Sequence, residues 1–91
     1  MRGQDLKMHN VYVLQNPEGK FYIGYTRNIL KRIQDHNSGK GTQTTKKYSP
    51  WKLVYFEAYL NQKDALGREK FLKGGSGKKY LKKQLKHFLA E

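Results

Sequence analysis

The side chains in this sequence that could do chemistry together are two phenols, Tyr12 and Tyr22, a cation and an imidazole, Arg32 and His36, and a carboxylate, Glu69. Phenols and imidazoles pass protons, a guanidinium meets an anion, and a carboxylate pairs with a cation or holds a divalent metal. They are spread over most of the 91 residues, so the elements that carry them must decide whether they meet.

The tyrosines lie in two short apolar runs on either side of a Pro/Gly turn, Val11 to Gly24, which reads as a β-hairpin. A three-residue loop, Pro17-Glu18-Gly19, with Gly19 in the left-handed position, pairs Asn16 with Lys20 and Leu14 with Tyr22. Tyr12 and Tyr22 then share a face. A loop of two or four residues shifts the register by one and separates them. Without a shared face the pair reads as ordinary half-buried strand aromatics.

Thr26 is expected to cap a helix running to about Asn37, with Ile29, Leu30 and Ile33 as its apolar stripe and Gly39 as its stop. Arg32 and His36 fall one turn apart on a flank of that stripe. Each also has a plain reading, as a snorkelling arginine and a solvent-exposed histidine. From Asn37 to Pro50 runs a loop rich in Gly, Thr and Lys. Its Lys40, Lys46 and Lys47 suit phosphate contacts, although a merely flexible loop fits as well.

Trp51 to Leu60 reads as a third strand with apolar residues on both faces. Asn61 then caps a helix ended by Gly74-Gly75, with Ala65, Leu66 and Leu72 on its inward stripe. Helical geometry places Glu69 within that stripe. An unpaired charge there costs several kcal/mol, so Glu69 needs a cation such as Arg32, or a divalent metal. A buried ion pair without chemistry satisfies the same demand. Gly74 to Lys79 lacks the first glycine, the Ser/Thr and the preceding strand of a phosphate-binding P-loop. It reads instead as a helix break, with Ser76 capping a final helix. That helix turns Leu81, Gln84, Leu85, Phe88 and Leu89 inward and a lysine face including Lys79, Lys82 and Lys83 outward.

Composition bounds the rest. A chain this short makes one domain with a small core. Residues 1–7 read as a flexible leader and residues 8–91 as the domain. The net charge of +12 attracts polyanions, nucleic acid first among them. The absence of cysteine excludes disulfides and thiolate metal sites. No apolar run is long enough to span a membrane, so a cytoplasmic protein with no membrane partner is expected.

Together, Tyr12, Tyr22-Ile23-Gly24, Arg32, His36 and Glu69, in this order and element context, resemble the GIY-YIG nuclease family, and more narrowly its small stand-alone bacterial (UPF0213-like) proteins. The resemblance covers Asn10 to about Lys83. It implies an α+β fold, a three-stranded antiparallel sheet flanked by about three helices in the order β-β-α-β-α-α. It also implies an endonuclease that hydrolyses phosphodiester bonds with one divalent cation, Mg²⁺ or Mn²⁺. DNA is favoured over RNA, repair is among the roles such a fold hosts, and no obligate protein partner is expected. A nucleic-acid-binding module of the same fold, with little or no activity, is the alternative. Glu69 matches the metal-binding glutamate, Tyr12 a proposed general base, Tyr22 the second motif tyrosine and Arg32 the phosphate-neutralising arginine. His36 stands where members carry His or Tyr. The first motif half is Val11-Tyr12-Val13, without its glycine, Leu81 stands where many members have an asparagine, and Tyr25 stands where some have Lys or His.

Overall fold

The structure, a computed structural model, describes residues 7–39 and 50–91. Most of the expected leader and the loop lysines Lys40, Lys46 and Lys47 lie outside the described residues. The elements follow in the order β1 (His9–Gln15), β2 (Phe21–Thr26), α1 (Ile29–Asn37), β3 (Lys52–Tyr59), α2 (Gln62–Lys73), α3 (Gly75–Gln84) and a short α4 (Lys86–Leu89). This is the α+β fold expected, with the last helix divided in two. The strands form one antiparallel sheet in the order β2-β1-β3.

β1 is central and apolar on both faces, and Val11, Tyr12, Val13 and Leu14 are all buried. On one face Val11, Val13 and Ile23 pack with Ala65 and Leu72 of α2 and Leu81 of α3. On the other, Tyr12, Leu14 and Trp51 are packed by Tyr22, Ile33 and Leu53. Leu81 is therefore a core residue.

The hairpin has the expected turn. Gly19 takes φ +82, its N–H donates to Asn16 O at 2.9 Å and the Asn16 N–H donates to Lys20 O at 3.1 Å. Asn16 Oδ1 also accepts from the N–H of Glu18 and of Lys20, bracing the turn from inside. Leu14 consequently pairs with Tyr22 and Tyr12 with Gly24.

Several expectations are corrected. Asn28, not Thr26, caps α1, because Thr26 still pairs with Asn10 in the sheet. Thr26 acts one step earlier, its Oγ1 accepting the Asn28 N–H at 3.1 Å. The inward stripe of α1 is Ile29, Ile33 and His36, at positions i, i+4 and i+7, which turns Leu30 out to 75% exposure. On α2 the buried line is Ala65 and Leu72, and Leu66, 100° round the helix from Ala65, is exposed. Ser76 caps nothing. Gly74 ends α2 and begins α3. Gly77 is buried where a Cβ would overlap the α2 backbone at Phe71 and Leu72, so it is glycine that lets the two helices touch. Gln84 and Leu89 are exposed because the helix breaks at Leu85.

Candidate functional site

Tyr12 and Tyr22 share the face of the sheet over which α1 lies. Tyr12 Oη and His36 Nε2 are 2.9 Å apart, a hydrogen bond buried on both sides. The Tyr22 ring meets His36 edge-on with centroids 5.0 Å apart, lies 6.4 Å from Tyr12 and has Trp51 behind it at 6.0 Å. His36 is 1% exposed, which corrects the solvent-exposed reading, and its Nδ1 is buried with no hydrogen-bond partner.

Gly24 makes this arrangement possible. It pairs directly with Tyr12, and a Cβ built on it would run into the Tyr12 Oη and Cζ atoms. The phenol therefore leans across β2, over the one residue that offers no side chain. In the sequence this glycine stands out only as part of the Tyr22-Ile23-Gly24 motif. The cross-strand register, legible from the turn, was the signal for its steric role.

Arg32 and Glu69 act on this centre through charge. Burial raises the Tyr12 pKa well above its ordinary value, with Tyr22 and Glu69 adding to the rise and Arg32 opposing it. His36 is lowered, by burial first and then by Arg32, against a smaller pull from Asp35. At neutral pH the pair is a phenol and a neutral imidazole. Arg32 is exposed and forms no ion pair among the described residues. Glu69 does not meet it. The carboxylate, 19% exposed, pairs instead with Lys73 one turn on, at 3.1 Å. Its position explains this. Arg68 and Glu69 flank the Ala65–Leu72 line on opposite sides, so Glu69 sits at the margin of the core rather than within it, where a lysine tip reaches from solvent.

Arg68, on the other flank, belongs to a network not anticipated from the sequence. Its Nε donates to Glu57 Oε1 at 2.8 Å and its Nη2 to Oε2 at 3.0 Å. Tyr55 and Tyr59 donate to the same two oxygens, each at 2.5 Å. The guanidinium lies over Tyr80 at 4.4 Å and Phe71 at 5.2 Å. Burial alone would raise Glu57, but the bonds from Arg68, Tyr55 and Tyr59 hold it below its usual value. Burial first, and then its bond to Glu57, push Tyr59 up to about 12, against the opposing charge of Arg68. With every lone-pair direction of Glu57 used, this network fastens α2 to β3.

Among the described residues there is no group of three or more His, Asp or Glu able to hold a metal. Glu69 stands as a single carboxylate donor. Lys79, Lys82 and Lys83 are exposed on α3. A cleft of about 400 Å³ at the turn end of the sheet is lined by Pro17, Pro50 and Trp51, and Tyr12, Tyr22, Arg32, His36 and Glu69 are not among its lining residues. No described helix is long and apolar enough to cross a membrane.

The pattern of the GIY-YIG catalytic domain matches residues 8–84. The chain belongs to the GIY-YIG family. Membership places it in a superfamily of nucleases, whose substrates are nucleic acids. A UPF0213 protein of Clostridium perfringens is 42% identical over 66 residues, covering 72% of this chain and 71% of that one. The solution NMR structure of a UPF0213 protein from Bacillus halodurans aligns with 34% identity and a TM-score of 0.51 over 81% of both chains. The solution NMR structure of a protein from E. faecalis aligns with 32% identity and a TM-score of 0.57 over 94% of this chain and 91% of that one. The family's second motif half, Tyr22-Ile23-Gly24, is thus a strand segment whose tyrosine faces His36, whose isoleucine enters the opposite core, and whose glycine seats Tyr12.

Proposed function

We propose that this chain is a metal-dependent nuclease that hydrolyses phosphodiester bonds of DNA, with Tyr12, Tyr22, Arg32, His36 and Glu69 as its site. The observation that carries the reading is the buried Tyr12–His36 hydrogen bond, with Tyr22 against it and opposite charges, Arg32 and Glu69, acting on Tyr12 from two helices. Hydrolysis needs a proton taken from water, charge neutralised on the non-bridging oxygens and help for the leaving oxygen.

Tyr12 alone is a poor base, because its burial favours the phenol. Its bond to His36 removes that difficulty. As Tyr12 Oη takes a proton from the attacking water, its own proton passes to His36 Nε2, whose depressed pKa keeps the lone pair free at neutral pH. Arg32, solvent-facing, meets the phosphate. Tyr22, packed edge-on against His36, orients its ring.

Glu69 is the residue that would hold the cation. A single hard oxygen donor suits Mg²⁺ or Mn²⁺, which are usually bound by one or two carboxylates with waters and substrate phosphates completing the shell. Bound there, the cation would polarise the phosphoryl oxygens. Lys73 has to release Glu69 for this, so metal binding should be weak until nucleic acid is present.

The experiment is cleavage of labelled duplex, single-stranded, flap and branched DNA, and of RNA, with Mg²⁺ or Mn²⁺ or chelator, by wild type and Glu69→Gln. Wild-type cleavage that needs metal and falls roughly 100-fold or more in the variant supports the reading. The second reading, a binding module without catalysis, draws on the Glu69–Lys73 pair. Binding without cleavage of any substrate would favour it.

A further inference from the structure

The face that carries Tyr12 does not end at Tyr12. Across β1 from Gly24, the cross-strand partner of Tyr12 is Phe56 of β3, so Gly24, Tyr12 and Phe56 form one row on one face. Tyr12 is 2% exposed and leans the other way, towards β2. Phe56 is 50% exposed, and its neighbour on the same face, Ala58, is small and exposed. A flat aromatic surface thus stands open two strand spacings, roughly 10 Å, from the glycine under the Tyr12 hydroxyl.

We propose that Phe56 is a stacking platform for an unpaired nucleobase of the strand whose phosphate lies over Tyr12, an inference that rests on the phosphodiester site argued above. The occupant follows from what surrounds the ring. The chain carries a net charge of +12 and Arg32 projects into solvent beside the Tyr12 centre, so a polyanion is the ligand drawn to this face. Phenylalanine has no hydrogen-bonding atom, so it offers a polyanion only a π-face, which suits a base of any identity and no phosphate. In a duplex the base faces are occupied by their neighbours. Only a base in a single strand, flap or bulge has a face free for the ring. Phe56 therefore selects for an unpaired nucleotide close to, but not at, the reacting phosphate.

The test is equilibrium binding in chelator of labelled oligothymidylate, a same-length strand of abasic sites and a plain duplex, across a series of salt concentrations. Wild type, Phe56→Ala and Phe56→Trp are compared after thermal melts establish that each is folded. The expected result is that wild type and Phe56→Trp prefer oligothymidylate over the abasic strand by roughly 5- to 100-fold. Phe56→Ala should lose that preference while keeping the salt dependence and the duplex affinity, because the phosphate contacts are untouched. Equal binding of base-bearing and abasic strands by wild type, or a preference surviving in Phe56→Ala, overturns the platform. No cleavage enters this measurement, so a failure of the nuclease reading leaves its answer intact. Failure to bind any of the strands overturns both.

Discussion

At the scale of single residues, Tyr12 owes its position to a missing side chain. In Gly24→Ala a methyl group would occupy the space of the Tyr12 hydroxyl, and the ring would have to leave His36. The expected outcome is a His36 pKa that climbs from its depressed value towards 6.5 as water reaches the ring, followed by NMR titration, with nuclease activity lost in parallel. The depressed pKa also has a sign for stability. Because His36 binds its proton more weakly folded than unfolded, the unfolded state gains protons first, and stability should fall as pH drops below about 6.5. Glu57, also lowered, adds a second decline below its ordinary value near 4.5. Denaturant unfolding at a series of pH values checks both, and His36→Gln should remove the first decline while leaving the second. The tyrosine pair was legible because Pro17-Glu18-Gly19 fixes a register. The burial of His36 was not, since Arg32 and His36 have equivalent places in the α1 pattern and only the docking of the helix decides which turns inward.

At the scale of elements, two contacts set where α2 lies and so where Glu69 points. The first is the Glu57–Arg68 network. Glu57→Gln keeps the shape but removes the charge that Arg68, Tyr55 and Tyr59 all address. A loss of about 1–3 kcal/mol is expected, reduced by the partial exposure of the pair and measured as a lower thermal midpoint. The second is Gly77, where alanine would force α3 off the α2 backbone. A loss of about 1–3 kcal/mol is expected by the same measurement. The strands and helices themselves were readable from hydrophobic periodicity and from Asn61, Gly19 and Gly39. The partnership of Glu57 with Arg68 was not, because Tyr55-Phe56-Glu57-Ala58-Tyr59 gives no sign of which helix covers which side chains. Leu66 misled for a related reason, since an apolar residue on a helix is inward only if the neighbouring element extends that far.

At the scale of the whole molecule, the charge of +12 should make binding to nucleic acid strongly salt-dependent. Replacing the exposed Lys79, Lys82 and Lys83 with Gln should lower the slope of log K against log salt by roughly 0.9 for each lysine that contacts a duplex phosphate. An unchanged slope would remove α3 from the interface. The molecule also has a seam. Asn37, the last residue of α1, holds the backbone of Trp51 with both atoms of its amide, Nδ2 donating to the Trp51 carbonyl at 2.8 Å and Oδ1 accepting the Trp51 N–H at 2.7 Å. The chain leaves α1 and re-enters the sheet at the same fastening, next to His36 and Tyr22. Through that clasp the end of α1 that carries His36 and the entry to β3 share one latch, so a change at Asn37 loosens both at once.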